Sequence, residues 1–130
     1  MSHHRKTITA SGAPEAVGPY THAVVSNGLV FCSGQVPLDP ATGKLVEGDI
    51  GEQTKRCLEN LSVVAAAAGA QLADAVRMGI YVIDMGTFKD VNEAYATYFE
   101  TEPPARSTVG VAALPLGAQV EIDAVIALPD

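Results

Sequence analysis

Residues 106–128 read RSTVGVAALPLGAQVEIDAVIAL, and this stretch contains two alternating runs separated by a proline and a glycine. Alternation of apolar with polar or small side chains is typical of β-strands, because successive side chains point to opposite faces. We therefore predict strands over residues 106–113 and 119–128, joined by a short turn at residues 114–117. The apolar sides of the two strands are formed by Val109, Val111 and Ala113 and by Val120, Ile122, Ala124 and Ile126.

The polar sides of these two strands carry the charged residues. If both apolar sides face one core, the parity of the pairing is set, because a slip of one residue would turn a whole strand over. The side chains on the opposite face would then include Arg106, Thr108, Glu121 and Asp123. The pattern predicts one cation and two carboxylates together on one side of a sheet.

Four more strands are predicted upstream of this stretch. Residues 6–9 are a candidate edge strand, and residues 76–83 alternate as a strand that is mostly buried on both faces. Residues 22–26 and 29–33 flank Asn27-Gly28, which favours a type I′ hairpin turn because both central residues of that turn need positive φ. We therefore expect these two flanking strands to pair with each other.

Two helices are predicted between the strands. The first begins at Asp49, which has the spacing of a capping box with Glu52, and it ends before Gly69. The second is expected to begin after Thr87 and to be stopped by Pro103-Pro104. Its apolar residues are Phe88, Val91, Tyr95, Tyr98 and Phe99.

The order of these elements is β-β-β-α-β-α-β-β, which predicts an α+β fold with a mixed β-sheet and two helices packed on one face. We expect a single domain over residues 1–130, with residues 1–5 as a mobile end. The other face of the sheet would present Tyr81, Ile83, Val125 and Ala127 beside the charged residues. Because apolar side chains would be exposed there, we expect another subunit to cover that face.

The composition is that of a globular chain. Of the 130 residues, 48% are hydrophobic and 18% are charged, which is enough apolar material for a core. No run approaches the roughly 18 consecutive apolar residues that a membrane span needs. Residues 1–6 read MSHHRK and lead into no apolar segment, so no signal peptide is predicted and a cytoplasmic location is expected.

The net charge and the cysteine spacing argue against three kinds of function or site: nucleic-acid binding, a disulfide and a zinc site. The net charge is −7 and the eight basic residues form no stripe, so a nucleic-acid partner is disfavoured. Cys32 and Cys57 lack CxxC spacing, so we predict buried, reduced thiols and neither a disulfide nor a zinc site.

Five short motifs occur in order along the chain. They are Gly18-Pro19-Tyr20, Ser33-Gly34-Gln35, Val91-Asn92-Glu93-Ala94-Tyr95, Pro104-Ala105-Arg106-Ser107-Thr108 and Val120-Glu121-Ile122-Asp123. Together they resemble the reactive-intermediate deaminase family, the RidA/YjgF type, from about residue 6 to residue 128. The resemblance implies chorismate-mutase-like subunits in a homotrimer, with active sites between neighbouring subunits. It also implies hydrolysis of small 2-imino or 2-amino-enoic acids, such as 2-aminoacrylate and 2-iminopropanoate, to 2-keto acids and ammonia, with no cofactor and no metal.

The same resemblance assigns six site residues. Arg106 would bind the substrate carboxylate, since a planar guanidinium can form two parallel hydrogen bonds with it. Glu121 would position or activate the water that adds to the C=N bond. The substrate-binding positions implied by the resemblance are Tyr20, Ser33, Asn92 and Thr108.

Each of these residues also has a purely structural alternative. Arg106 could form an ion pair with Glu121 or Asp123, and Glu121 could be a solvated carboxylate on a strand. The polar substrate-binding candidates could be ordinary loop or cap residues. Two other functions stay open as well. One is a non-catalytic binder of small carboxylates, which would need Arg106 but not Glu121, and the other is an endoribonuclease or translation inhibitor.

The sequence departs from the family pattern at three places. Thr108 stands where many members carry Cys, so a hydrogen-bonding group is kept but thiol reactivity is lost. His22 stands where Gln is frequent, and it could tune the pocket or form only local hydrogen bonds. The segment between Asn92 and Arg106 is a few residues shorter than in the best-known members.

Overall fold

The computed structural model describes residues 4–130 and shows a six-stranded mixed sheet with two α-helices. The strands are β1 (Lys6–Ile8), β2 (Ala23–Ser26), β3 (Leu29–Gln35), β4 (Ala75–Val82), β5 (Ala105–Gly110) and β6 (Val120–Ala127). The helices are α1 (Ile50–Ala67) and α2 (Phe88–Ala96), so the α+β class and the predicted element order are confirmed. The predicted mobile end at residues 1–5 lies partly outside the described residues and stays a prediction.

The hairpin predicted at Asn27-Gly28 is confirmed. Strands β2 and β3 pair antiparallel, and the pairing of Ser26 with Leu29 leaves a two-residue turn. Asn27 and Gly28 both have positive φ, 53° and 77°, as a type I′ turn requires. Strand β1 pairs with the other side of β2 and forms an edge of the sheet, as predicted.

Helix α1 has both predicted ends. The Asp49 side chain accepts a hydrogen bond from the Glu52 backbone N–H at 2.9 Å, and Gly69 follows the helix with a φ of 83°. The buried stripe of the helix packs on β3 and β6. It comprises Ile50, Thr54, Cys57, Leu58, Asn60, Leu61, Val64 and Ala65.

Helix α2 is shorter than the sequence predicted. It ends at Ala96, and Tyr98 and Phe99 lie beyond it. Thr87 is the N-cap residue, but its hydroxyl donates to the Asp84 carbonyl at 2.7 Å and makes no cap hydrogen bond. Phe99 is nevertheless buried in the core, so tertiary packing holds this segment where the helix does not continue. Within residues 4–130, neither helix combines the length and the apolar character that a membrane span requires.

The strand order in the sheet is β1-β2-β3-β6-β4-β5. Strand β6 lies between β3 and β4 and is antiparallel to both, whereas β4 and β5 are parallel neighbours. The expected pairing of the last two strands with each other is therefore wrong, because β4 separates them. Their connection must pass the end of β4, and it turns at Leu116 and Gly117, which have φ of 61° and 75°.

The side of strand β5 that faces the core is not the side that the sequence predicted. Its register with β4 places Arg106 opposite Met78 and Thr108 opposite Ile80, and both β4 residues are buried in the core. Val109, which was expected in the core, is 43% exposed on the other face. The reason is that β5 is an edge strand whose faces are incompletely covered, so apolar alternation does not identify its core side.

Strand β6 keeps the predicted parity. Its core side is formed by Val120, Ile122, Ala124 and Ile126, all of which are buried. Its register with β4 puts Glu121 and Asp123 on the face away from the core. The prediction that Arg106 and Thr108 share a face with these two carboxylates is therefore wrong.

Both cysteines are free and buried, as predicted. Burial raises the pKa of the Cys32 thiol to about 12, and the negative charge of Asp123 adds to this effect. Burial also raises the pKa of Cys57 well above its ordinary value. Both thiols therefore stay protonated and unreactive near neutral pH.

Asp49→Ala is expected to destabilise the fold by about 1 kcal/mol, because α1 loses the acceptor at its first turn. The measurement is the free energy of unfolding obtained from urea denaturation. Glu47→Ala, in the exposed loop before the helix, is the matched control and should change stability by less than about 0.5 kcal/mol. Equal losses for the two variants would contradict the capping role.

Candidate active site

A β-bulge in β3 forms one wall of the candidate site. Cys32 pairs with Ala124 and Gln35 pairs with Ile122, so three steps along β3 correspond to two along β6. The extra residue lies in the Ser33-Gly34 segment, which was recognised as a motif but not as a bulge. Bulges re-aim side chains and are frequent beside functional sites, so this motif has a structural reason to lie here.

The glycine of this bulge makes room for Glu121. A Cβ atom built on Gly34 would lie 2.5 Å from Glu121 Oε2, so the carboxylate lies directly against the bulge. Burial raises the pKa of the Glu121 carboxyl above its ordinary value, and the negative charge of Asp123 raises it further. A carboxylate in this state is a stronger base than a solvated one, which is the property that a proton-accepting group needs.

A pocket of about 540 Å³ opens beside this carboxylate. Of the residues predicted from the sequence, Tyr20, Ser33 and Glu121 line it. The apolar part of its lining consists of Pro14, Val17, Pro19, Val36, Leu38 and Pro115. A mostly apolar cavity with a few converging polar groups is typical of a small-molecule site.

The two hydroxyl groups in the pocket already have local hydrogen-bond partners, yet each can still form another hydrogen bond. Ser33 Oγ donates to the Thr21 carbonyl at 2.6 Å, so its lone pairs remain available as acceptors. The Tyr20 hydroxyl oxygen accepts from the Val17 N–H at 3.3 Å, so its proton remains available to a ligand. These two hydroxyl groups therefore offer one acceptor and one donor near Glu121, and Glu15 and Gln35 are further polar side chains of the lining.

His22 supports the loop at the pocket edge and is not part of the lining. Its ring is buried, Nδ1 accepts from the Ala10 N–H at 2.9 Å, and Nε2 donates to the Pro14 carbonyl at 2.8 Å. Both nitrogens are used by these local bonds. Of the two interpretations left open by the sequence, tuning of the pocket or local hydrogen bonding, the structure therefore shows the local hydrogen bonding. The side chain thus holds in place the backbone of Pro14, which lines the pocket.

Arg106 lies in a second, separate cluster against α2. Its Nη2 donates to Asn92 Oδ1 at 2.7 Å, and its guanidinium carbon lies 4.8 Å from the Tyr95 ring centroid and 5.7 Å from that of Phe88. Each such cation–π contact contributes about 0.5–2 kcal/mol, depending on desolvation. The Thr108 hydroxyl, two residues along the same side of β5, is buried without a hydrogen-bond partner among the described residues.

The ion-pair alternative for Arg106 does not hold within residues 4–130. The ion pair found there joins Arg77 Nη1 to Asp123 Oδ1 at 3.7 Å, and Asp123 also accepts from the Tyr81 hydroxyl at 2.8 Å. Arg106 has no carboxylate partner in this part of the chain, and most of its N–H donors are unused. No three His, Cys, Asp or Glu side chains of the described residues are grouped to hold a metal ion.

The six site residues predicted from the sequence thus form two groups. Tyr20, Ser33 and Glu121 line the pocket, while Arg106 contacts Asn92 on the other face of the sheet, the face that also carries Thr108. Strands β6 and β5 are two positions apart, which is about 10 Å across the sheet. A small acid cannot bridge the two groups within one chain.

The aromatic partners of Arg106 were predicted only as an apolar side of the second helix. Phe88, Asn92 and Tyr95 are spaced by four and three residues, so they form one stripe on α2. An asparagine inside an otherwise aromatic stripe is the signal that could have identified a polar contact there. The guanidinium itself could not be placed on this stripe without the register of β5.

Comparisons with known proteins identify a family model, relatives and a solved structure that this chain resembles. A family model described as Endoribonuclease L-PSP matches residues 10–128. Protein DfrA of Myxococcus xanthus is 51% identical over 123 residues, which cover 93% of this chain and 94% of that protein. A mouse protein named 2-iminobutanoate/2-iminopropanoate deaminase is 45% identical over 121 residues, which cover 93% of this chain and 90% of that protein. The crystal structure of E. coli TdcF with bound serine has a TM-score of 0.88 and 35% identity, covering 95% of this chain and 99% of that one.

Gly34→Ala is expected to push the Glu121 carboxylate away from β3, since the new methyl carbon would meet Oε2 at 2.5 Å. The displaced carboxylate should be better solvated, so its pKa should fall toward the ordinary value. The measurement is the NMR titration of the Glu121 carboxyl carbon. Gly18→Ala is the matched control in the same pocket, because its Cβ would meet the nearest atom, in the Tyr20 ring, at an ordinary 3.5 Å. An unchanged titration in Gly34→Ala would show that the bulge does not hold this carboxylate.

Proposed function

Because the chain belongs to the Endoribonuclease L-PSP family, the RidA/YjgF type, we propose that it hydrolyses small reactive 2-imino and 2-amino-enoic acids to 2-keto acids and ammonia. The observation that carries the proposal is the combination of a guanidinium without a carboxylate partner in residues 4–130 and a partly desolvated glutamate in a small-molecule pocket. The mouse relative named 2-iminobutanoate/2-iminopropanoate deaminase supports this substrate class. A 2-imino acid has one feature for each group: a carboxylate for Arg106 and an electrophilic carbon beside Glu121.

Arg106 is proposed to bind the substrate carboxylate. Nη2 is held by Asn92, and the remaining donors of the planar guanidinium can form two parallel hydrogen bonds with a carboxylate. Bonds of this charge-assisted kind contribute about 1.5–3 kcal/mol each. The hydroxyl of Thr108, which has no hydrogen-bond partner in the described part of the chain, is on the same side of β5 and can add a further hydrogen bond.

Glu121 is proposed to act as the base and then as the acid of the hydrolysis. Starting from the protonated imine, it takes a proton from water while the water oxygen bonds to the carbon, and the C=N electron pair moves to the nitrogen to give a neutral amine. The same carboxyl then returns this proton to the amine, the C–N bond breaks to release ammonia, and the regenerated carboxylate accepts the hydroxyl proton as the carbonyl forms. General acid–base catalysis of this kind contributes about 10²–10⁴-fold. The imine carbon is already electrophilic, so the chemistry needs neither a cofactor nor a metal.

We further propose that each active site is assembled between two chains of a homotrimer. Arg106 and Glu121 lie on opposite faces of one sheet, so one substrate can meet both groups when they come from neighbouring copies. The face that carries Glu121 also exposes Phe31 by 45% and Val109 by 43%, and apolar side chains on one sheet face are typical of a subunit contact. One chain would supply Arg106, Asn92 and Thr108. Its neighbour would supply Tyr20, Ser33 and Glu121.

Mixing two inactive variants tests this arrangement. Arg106→Ala and Glu121→Gln should each lower turnover by at least about 100-fold, since one removes the carboxylate grip and the other the base. When the two variants are unfolded and refolded together, random assembly should restore about one quarter of the sites. The measurement is the decay of 2-iminopropanoate generated in situ by an amino-acid oxidase.

The double variant Arg106→Ala/Glu121→Gln is the control for this mixing. Refolded with either single variant, it should restore nothing, because every site then lacks one of the two groups. No recovery in the mixture of single variants would contradict an intersubunit site. Turnover near the wild-type level in either single variant would remove that residue from the proposed mechanism.

The pH dependence of turnover tests the role of Glu121 independently. Only the ionised carboxylate can take a proton from water, so kcat/KM should rise with pH through the Glu121 pKa, which lies above the ordinary 4.5. Asp123→Asn removes one of the two causes of the raised pKa, so the acid limb should move to lower pH. Comparing the variant with the wild-type protein on one substrate cancels the titration of the substrate itself. An acid limb that stays in place would contradict the assignment of the base.

A non-catalytic binder of small carboxylates is the second candidate function, and the serine bound to the similar TdcF structure favours it. Such a binder would need Arg106 but would not need Glu121. It predicts no turnover in the wild-type protein and equal ligand affinity in Glu121→Gln and the wild-type protein.

We propose no nucleic-acid substrate, because the net charge of −7 opposes binding to phosphates. Retention on RNA at physiological salt would contradict this last point.

A further inference from the structure

Three side chains on one stripe of α2 contact a single guanidinium, that of Arg106. Phe88, Asn92 and Tyr95 follow one another along the helix surface, and all three contact Arg106. Asn92 supplies one hydrogen bond, which by itself leaves the guanidinium free to turn about the bonded nitrogen. The two rings lie at 4.8 Å and 5.7 Å from the guanidinium carbon and restrict that rotation.

We infer that Tyr95 and Phe88 are positioning residues, whose rings set the plane of the Arg106 guanidinium so that its unused N–H edge faces the substrate carboxylate. The inference rests on the proposed function, because it assigns a role to the same arginine. Two parallel hydrogen bonds require the guanidinium and the carboxylate to share a plane. An arginine that must first be ordered by the ligand binds that ligand more weakly than a pre-organised one.

The ring of Tyr95, and not its hydroxyl, carries this role. The hydroxyl oxygen is buried and has no hydrogen-bond partner among residues 4–130. The ring is buried in the core beside Phe99, at 4.7 Å between centroids, so its own orientation is set by packing. A rigid ring under the guanidinium is therefore available in the free protein, before any substrate arrives.

Conservative and disruptive substitutions at Tyr95 separate the ring from the hydroxyl. Tyr95→Leu should weaken binding of 2-oxobutanoate, a stable 2-keto acid, by roughly tenfold, and it should raise KM by a similar factor with kcat nearly unchanged. Tyr95→Phe keeps the ring and should bind and turn over as the wild-type protein does. Binding is measured by calorimetry on the full-length assembled protein, and KM and kcat are measured with imines generated in situ.

Two further variants control for damage to the core. Val30→Ala shortens a fully buried core side chain on β3, which lies three strand positions from β5, so it should lower the melting temperature without weakening binding. Phe88→Leu alters a residue that is 38% exposed, so the fold should be kept, and binding should weaken by roughly threefold because its ring is the more distant one. Phe88→Leu therefore tests the inference even if Tyr95→Leu does not fold.

The outcomes distinguish this inference from the proposed function on which it rests. Weaker binding in Tyr95→Leu and Phe88→Leu, with normal binding in Tyr95→Phe and Val30→Ala, would support the positioning role. If Arg106→Ala abolishes binding while both ring variants bind normally, the positioning role fails and the proposed function stands. Equal losses in Val30→Ala and Tyr95→Leu would also overturn it, since general loosening of the core would then explain both. If Arg106→Ala itself binds normally, the carboxylate grip fails and this inference fails with it.

Discussion

Hydrogen bonding along both edges of β6, to β3 on one side and β4 on the other, is the constraint on which the structure depends. A strand paired on both edges cannot shift its register, so its alternate residues are committed to two environments. One side buries Ile122 and Ile126 in the core. The other side presents Glu121 beside the bulge of β3, where burial raises the pKa of its carboxyl. The position and the chemistry of this glutamate thus follow from the same pairing that builds the core.

A β-sheet also keeps the side chains on its two faces apart from each other. Arg106 lies on the core side of β5 and Glu121 on the opposite side of β6, so the thickness of the sheet lies between them. Within the proposed function, this separation ties catalysis to assembly, because a lone subunit holds the two halves of the site but cannot bring them together. The exposed side chains of Phe31 and Val109 give that assembly an apolar surface to bury.

Three of the proposed site residues are left in states that a purely structural element would avoid. Among the described residues, Arg106 has no carboxylate partner and the buried Thr108 hydroxyl has no hydrogen bond, and the Glu121 carboxyl is partly desolvated beside another carboxylate. The buried hydroxyl without a partner and the carboxyl desolvated beside a second carboxylate each lower stability in the free chain, while Arg106 keeps unused donors. Their occurrence in the two clusters assigned to one site is consistent with binding energy that becomes available when a ligand or a neighbouring subunit supplies the missing partners.

The sequence by itself determined the features that depend on neighbouring residues. The Asn27-Gly28 hairpin, the Asp49 cap and the buried stripe of α1 follow from φ preferences, capping hydrogen bonds and helical spacing, all of which act within a few residues. The family motifs also led to the prediction of Arg106 and Glu121 as site residues, which the proposed function adopts, and the element order was correct. Only the tertiary structure decided that β6 inserts between β3 and β4, that β5 turns Arg106 toward α2, and that Ser33-Gly34 forms a bulge. These features depend on which distant strands share hydrogen bonds and on how completely an edge strand is covered, and neither is encoded in local alternation.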